Sequence, residues 1–417
     1  MFSQPIRAAR GALLALGLAL FLIVSFQFGL ASASAQQRTA EPPNYADVVV
    51  DYGDGRLVVR RVSFVSPTIS SLQALQLTGI DAAIADFDFG AAVCGIDRVG
   101  CSVDDCFCDA NQFWGLFRWS DQDGQWIASQ VGAGDSVVNP GDVDAWHWGP
   151  FESAPPVLPR TFIAAQTGLQ WLRSQQAVDG SFGGNVGATL DSLMAGAIAG
   201  DAVSRWRLPG GASAWDYVHR GAAAFVSREE SPASAGKLAL AAAAAGRDPR
   251  SVLGQDMVVA MSRVYSPTTG AFGNSTWDQA FNMLGWRAAG ETVPVTATRL
   301  LEARANADGG WGWTASTDSD VDSTALAVQA LLAAGEPITS SAIVSGMAYM
   351  SAAQNPDGGF PYTPESATYT SSNANSTAFA VQAILAVGQD PLGAAWTTAI
   401  SATTPISFLL GQQQADG

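Results

Sequence analysis

The chain has 417 residues, of which 48% are hydrophobic and 14% are charged, and this is enough for two or three domains with a sizeable core. Its formal net charge is −16. Nucleic acid and anionic membrane surfaces are poor partners for so acidic a surface, and we expect the chain to bind neither.

The N-terminus has the pattern of an export signal. Arg7 and Arg10 precede an apolar run over 11–30, and small residues follow up to Ala35. This predicts a signal peptide over 1–35 that is cleaved after Ala35, and hence a secreted or cell-envelope protein. Because the run is long, an uncleaved N-terminal anchor is the alternative, and no later stretch is apolar enough to span a bilayer.

A polar linker over 36–44 leads into a region with the two-residue period of strands. Residues 46–65 contain two β-branched runs around Gly53-Asp54-Gly55, which predict a β-hairpin. A short helix over 70–77, a second hairpin and a last strand around Trp146 are also predicted. The sequence therefore indicates a β-rich domain over 45–150 that is dense in Trp.

All four cysteines of the chain are predicted to lie between the strands of this domain. In an exported protein, four clustered cysteines favour two disulfides. A direct bond across one residue is strained, so Cys106 and Cys108 should each pair with Cys94 or Cys101. A four-thiolate zinc site is the alternative, although structural zinc sites usually have paired two-residue spacings.

A Pro-rich linker over 151–160 precedes helical repeats over 161–417. Each repeat has a Gly turn that ends in an aromatic residue, a polar loop, and an apolar helix closed by Gly. The turns are 179–182, 269–272, 308–311 and 357–360, and Gly236-Lys237 opens a degenerate copy. A period of roughly 40 to 50 residues is typical of stacked helical hairpins. The final residues match the start of another copy and stop at Gly417, so we expect an incomplete last repeat.

Three of these turns carry a family resemblance. The segments 175–182, 307–311 and 354–360 resemble the repeat shared by squalene cyclases and protein prenyltransferase β subunits, which implies an α/α toroid around a cavity. The segments Phe113-Trp114, Asp123-Gly124 and 141–146 are similar to the small β-grasp-like domain of transcobalamin and intrinsic factor. The two resemblances together imply a multidomain protein, with a β-grasp-like domain followed by an all-α toroid of helical hairpins. In transcobalamin and intrinsic factor, a corrinoid is held between toroid and β domain.

The toroid resemblance also admits enzymes, which can be tested by residue type. A prenyltransferase needs a zinc site of Asp, Cys and His, but this region has no cysteine and only His219, so that activity is excluded; thioester toroids fail for the same reason. A class II terpene cyclase protonates an alkene from an Asp-x-Asp-Asp cluster. Asp320-Val-Asp322-Ser323 is similar to it except at Ser323, which implies Asp322 as acid beside Asp320. The competing interpretation is that Asp322 or Ser323 caps the helix, as Asp191 and Ser376 would in sister repeats.

Aromatic residues form a second set of candidates. The aromatics at the ends of the turns are predicted to pack between hairpins, whereas Trp313 and Tyr362 should lie at the cavity mouth. Trp146 and Trp148 should share one strand face and His147 the other. We interpret His147 as a lone surface histidine rather than a ligand of a metal or corrin cobalt.

These observations predict an exported, non-catalytic protein that holds a bulky small molecule between toroid and β domain, a corrinoid at the boldest, with no metal site. One alternative is a terpene-cyclase-like enzyme, and another is a carbohydrate-active enzyme, for which no carboxylate pair stands out. A cell-surface scaffold for envelope proteins or glycans is the last. The candidate ligand contacts are Asp191, Asp278, Trp313, Asp322, Tyr362, Trp146 and Trp148.

Overall fold

We describe the protein from a computed structural model. The structure describes residues 43–88, 90–150, 153–156, 160–227, 232–364 and 368–417, so the predicted signal peptide, its cleavage site and the anchor alternative lie outside the described residues. The described residues form two units. One contains 43–171 with Gln413–Gly417 and the other contains Leu172–Gln412, and we call them the β unit and the helical unit. The predicted fold class, a small β-rich part followed by an all-helical part, is confirmed.

The β unit is built around a five-stranded mixed sheet of order β2-β1-β10-β7-β8, in which only β1 and β10 run parallel. An antiparallel strand flanks this parallel central pair on each side, β2 beside β1 and β7 beside β10. Smaller sheets pair β3 with β9 and order β4-β5-β6. The strands are β1 Asn44–Asp51, β2 Leu57–Phe64, β3 Ile69–Ser70, β4 Ala82–Phe87, β5 Gly90–Ile96, β6 Val99–Gly100, β7 Phe113–Ser120, β8 Gln125–Ala128, β9 Val137–Val138 and β10 Val143–Gly149, with helix α1 Ser71–Leu77 after β3.

Both predicted hairpins, the short helix and the last strand are confirmed, and two details differ from the prediction. Cys94 lies within β5 rather than between strands, because the β4–β5–β6 meander was not visible in the sequence. The disulfides are Cys94–Cys106 and Cys101–Cys108, which confirms the predicted pairing rule and leaves no thiolate for zinc. Two such bonds are consistent with an oxidising compartment.

The first long helix begins at Arg160, and most of it belongs to the β unit. Its Ile163 packs with Val49, Val59 and Phe117 on one face of the five-stranded sheet. Residues 413–417 join the same unit, where the Gln413 amide donates to the Ala164 carbonyl oxygen at 2.8 Å. The apolar face of an amphipathic helix packs against a hydrophobic core, and here that core lies on one face of the sheet.

The helical unit is a two-layer stack of hairpins. In the first layer, α3, α5, α7, α9 and α11 pack side by side in that order, while α4, α6, α8 and α10 connect them in the second layer and α12 follows α11. Among described residues, no helix is both long and apolar enough to cross a bilayer. The helices are α2 Arg160–Ser174, α3 Val186–Ile198, α4 Ala214–Val226, α5 Ala233–Ala244, α6 Met257–Val264, α7 Thr276–Ala288, α8 Val295–Ala303, α9 Val321–Ala334, α10 Ser341–Ala353, α11 Ala374–Ala386 and α12 Pro405–Gln412.

The first layer is held together by small residues and by the turn aromatics. At the α5–α7 contact, a Cβ added to Gly285 would lie 2.5 Å from the Gly236 Cα, so the two backbones touch. The copy that looks degenerate in sequence is therefore a full member of the layer. Trp311 and its counterparts in the other turns are completely buried, which confirms that they pack between hairpins; the counterparts are Phe182, Phe272 and Phe360.

Candidate functional site

The candidate site lies at the N-terminal ends of the first-layer helices, and its geometry begins with the helix caps. Asp320 caps α9, since its carboxylate accepts the Ser323 N–H at 2.6 Å and its own N–H donates to the Trp311 carbonyl oxygen at 2.9 Å. Asp322 and Ser323 are therefore not the cap, contrary to the competing interpretation of the sequence. The cap binds the residue three positions on, which leaves Asp322 free to face elsewhere.

The sister repeats show the same arrangement. Asn185 caps α3 and Asn373 caps α11, so neither Asp191 nor Ser376 is the cap that the sequence suggested. Counting from each cap, Asp322 falls in the first helical turn, whereas Asp191 falls one turn later. The position equivalent to Asp322 holds Asn375 in α11.

Asp322 is 4% exposed and lies between two helices. Its Oδ2 accepts the Asn375 Nδ2–H at 2.9 Å, and its buried Oδ1 has no hydrogen-bond partner among the described residues. Burial raises the pKa of Asp322 to about 7; the hydrogen bond with Ser376 opposes this, and repulsion from Asp320 adds to it. A carboxyl group with such a pKa keeps a proton in a large fraction of molecules at neutral pH.

Asp320 and Tyr362 complete the acidic cluster. Burial raises the pKa of Asp320 to about 6, although hydrogen bonds from Ser323 and from the Tyr362 hydroxyl oppose the shift. The pKa of Tyr362 is in turn raised by its own burial and by the two carboxyl groups, so its hydroxyl remains a proton donor to Asp320. Asp320 is thus held mainly as an acceptor, and Asp322 is the group with an unoccupied oxygen.

An aromatic cluster adjoins these carboxyl groups. Trp277, in α7, occupies the same place after its cap as Asp322 does, and its Nε1 donates to the Ser323 Oγ at 3.1 Å. Its ring centroid is 5.6 Å from that of Trp313 and 5.4 Å from that of Phe379, which reaches it from α11. Aromatic faces attract cations. Ser323, the residue that departs from the Asp-x-Asp-Asp pattern, therefore holds the Trp277 side chain through this hydrogen bond.

A buried ion pair lies further along the first layer. The Lys237 Nζ of α5 is 2.7 Å from the Asp191 Oδ2 of α3, and Asp191 Oδ1 has no partner among the residues described. Burial raises the pKa of Asp191, and the Lys237 ammonium group opposes the shift. Lys237 also lies 5.9 Å from the ring centroid of Phe281, whose ring contacts the Trp277 ring at a tilt with 5.7 Å between centroids. A continuous set of contacts therefore joins the ion pair to the aromatic cluster.

The other predicted contact residues have different surroundings. Asp278 is the third residue of α7 and closes a capping box with Ser275, so its carboxylate is used by backbone N–H groups. Trp313 is 49% exposed and Tyr362 is 37% exposed, both in loops that lead to first-layer helices.

Trp146 and Trp148 belong to the β unit and pack in its core, on the sheet face that the strand pattern predicts. Trp146 is 2% exposed, and a ligand contact there stays a prediction. His147 takes the other face but is buried rather than lone and exposed, which corrects the sequence interpretation.

Sequence reasoning missed several members of this site. The missed members are Asn375, Ser376, Trp277 and Lys237, which form the site together with the predicted carboxyl groups. Aligning the repeats on their caps would have placed Asn375 and Trp277 level with Asp322. Among the described residues, no three His, Cys, Asp or Glu side chains lie close enough together to hold a metal ion.

No family model matches the chain. Over 126 residues the chain is 32% identical to the drimenyl diphosphate synthase of Streptantibioticus cattleyicolor, a terpene synthase, and this segment is 30% of the chain and 22% of that enzyme. A crystal structure of a protein from Actinoplanes superposes with a TM-score of 0.42 at 18% identity, over 56% of this chain and 86% of that one, which is too low to establish a shared fold.

Proposed function

We propose that the helical unit is a terpenoid-cyclase-like enzyme that protonates a carbon–carbon double bond of a linear isoprenoid, with Asp322 as the acid. The observation that carries the proposal is a buried carboxyl group with an unoccupied oxygen and a pKa of about 7, next in sequence to Ser323, which holds the Trp277 ring. Protonating an alkene demands an acid that is neutral before the step, and burial supplies that state.

The residues around Asp322 have separate roles in this chemistry. Asn375 holds the Oδ2 of Asp322, so the proton resides on Oδ1. Transfer of that proton to the alkene forms a C–H bond and a carbocation, while Asp322 becomes a carboxylate that hydrogen-bonds to Asn375. The rings of Trp277 and Phe379 stabilise the positive charge as cyclisation moves it along the chain.

The reaction ends when the carbocation loses a proton to a base such as water. The product is then an isomer of the substrate, because one proton enters and one leaves. Asp320 raises the pKa of Asp322 by repulsion, which favours return of a proton from solvent before the next turnover.

The terpene synthase similarity supports this substrate class distantly, since the chain spans about 22% of that enzyme's length. The isoprenoid is therefore part of the proposal. Corrinoid binding and glycan binding stay predictions, with no contact among the described residues that favours either.

The test is turnover of the full chain with farnesyl diphosphate, geranylgeranyl diphosphate and squalene in D2O. We expect a cyclic isomer that carries one deuterium per turnover, detected by mass spectrometry. Asp322→Asn should lower turnover by at least about 10²-fold, because general acid catalysis typically contributes 10²–10⁴-fold.

Asp216→Asn is the matched control, since Asp216 is an exposed capping residue of α4 in the second layer. It should leave turnover unchanged. Cyclic product formed at the wild-type rate by Asp322→Asn would contradict the assignment of the acid, and the absence of any isomer with all three substrates would contradict the proposed function.

A further inference from the structure

The β unit contains a cluster of three polar side chains unrelated to the acidic site of the helical unit. The His147 Nδ1 is 2.7 Å from the Asp51 Oδ2, and the His147 Nε2 is 2.9 Å from the Ser153 Oγ. A carboxylate on one imidazole nitrogen and a serine hydroxyl on the other is the atom order of a nucleophilic triad.

The central strand pair of the sheet creates this arrangement. Asp51 ends β1, and its parallel partner in β10 is His147, so the two side chains leave adjacent strands at the same level. Gly53 then fixes the carboxylate, because its N–H donates to the Asp51 Oδ1 at 3.0 Å. A Cβ on Gly53 would lie 2.4 Å from the Trp148 carbonyl oxygen, so this turn requires glycine.

The surroundings of the cluster favour one tautomer of the His147 ring. Asp51 is 4% exposed and its Oδ2 faces His147 Nδ1, so Nδ1 carries a hydrogen and donates it. Nε2 then faces the half-buried Ser153 hydroxyl with a lone pair when the ring is neutral. Gly149 leaves the space for this contact, since a Cβ there would lie 2.4 Å from Nε2 and 2.5 Å from the Ser153 Oγ.

We propose that Ser153 is a nucleophile activated by His147 and oriented through Asp51, and that it accepts acyl groups from activated esters. In the first step the Ser153 Oγ bonds to the ester carbonyl carbon, and its proton passes to His147 Nε2. The carbon–oxygen bond to the leaving group then breaks, and His147 returns the proton to the departing alcohol. Water hydrolyses the acyl-serine by the same sequence, so no further reactant is needed.

The restriction to activated esters follows from the Pro150 carbonyl oxygen. It accepts the Ser153 N–H at 2.9 Å and the Ser153 Oγ–H at 2.7 Å, so the hydroxyl hydrogen must rotate from this carbonyl oxygen to His147 Nε2 before the base can take it. The serine N–H, which serves many acyl-transfer enzymes as an oxyanion donor, is therefore engaged. Losing one such donor typically costs 10²–10³-fold in rate, which excludes amides and leaves esters with good leaving groups.

The test uses the full chain, a fluorophosphonate probe and p-nitrophenyl acetate. We expect one adduct, mapped to Ser153 by peptide mass spectrometry, together with ester hydrolysis that the probe inhibits. Ser153→Ala should abolish both. His147→Gln keeps a polar side chain but removes the base, and should slow labelling by about 10²–10⁴-fold.

The matched control is Ser129→Ala, which replaces a serine in the loop that follows β8. The probe should label Ser153 of this variant at the wild-type rate. Near-UV circular dichroism of each variant reports whether the Trp-rich core is retained. Two results would overturn the proposal: an adduct at another residue, or labelling of a folded His147→Gln variant at the wild-type rate. Ser153 would then serve only to stabilise the turn at Pro150. Neither outcome bears on Asp322.

Discussion

At the scale of single residues, the ionisation of Asp322 couples stability of the helical unit to pH. The pKa of its carboxyl group is about 7 when folded and near 3.8 when exposed, so the folded state binds the proton more tightly. The contribution to stability is complete below the unfolded pKa and is lost as pH rises through about 7. We expect wild-type protein to lose about 2–3 kcal/mol of unfolding free energy from this group between pH 5 and pH 8, and Asp322→Asn to lack that loss.

Denaturant titrations at the two pH values, followed by the far-UV helical signal, measure this difference. Asp216→Asn is again the control, because hydrogen bonds from Ser213 lower the pKa of the exposed Asp216 and it titrates below this pH window. If the unfolding free energy of Asp322→Asn differed between pH 5 and pH 8 as much as that of the wild type, the Asp322 carboxyl group would already be ionised at pH 5 in the folded protein.

At the scale of elements, one side chain ties each of the first-layer helices α3, α7, α9 and α11 to the turn before it. In α9 the Thr324 Oγ1 accepts the Trp311 N–H at 2.9 Å and lies 2.7 Å from the Asp320 carbonyl oxygen. Thr324→Val keeps the shape but leaves the buried Trp311 N–H without a partner. We expect a loss of about 1–3 kcal/mol in unfolding free energy, measured by chemical denaturation. Thr397→Val, at an exposed site, is the control and should change the unfolding free energy by less than about 0.5 kcal/mol. If the two variants lost the same free energy, water would have replaced the Thr324 hydroxyl.

The repeats show what the sequence could predict at this scale and what it could not. The Gly turns, the buried aromatics and the C-terminal Gly335 followed directly from local patterns. The caps did not, because Asp320 and Asp322 are equally good capping types. The choice between them depends on the bridge that pairs Trp311 with Asp320, and in the next repeat a longer loop separates the equivalent partners Phe360 and Asn373. The roles of Asp322 and Asn375 were hidden by that ambiguity.

At the scale of the whole chain, the residues that sequence reasoning missed are those brought together by distant pairing. The parallel β1–β10 contact joins Asp51 to His147 across 96 residues, and no local pattern predicts which strands become neighbours. His147 therefore looked like a lone histidine. Similarly, Trp277 reaches Phe379 from a helix two positions away in the first layer. The chain's chemistry-bearing clusters are products of topology, whereas its elements are products of local sequence.

The disulfides allow the stability of the β unit to be tested within the whole protein. Cys94–Cys106 closes a loop of 12 residues in sequence separation and Cys101–Cys108 one of 7. Loops of this size typically contribute about 2–4 kcal/mol each by restricting the unfolded chain, with slightly more from the longer one. We expect Cys94→Ala/Cys106→Ala to lower the unfolding free energy of the β unit by that amount.

Tryptophan fluorescence is the measurement, because Trp114 donates to the Val99 carbonyl oxygen beside this loop. The far-UV signal, which comes mainly from the helical unit, is the internal control. A fluorescence transition at the wild-type denaturant concentration would show that the meander holds β5 in place without the bond.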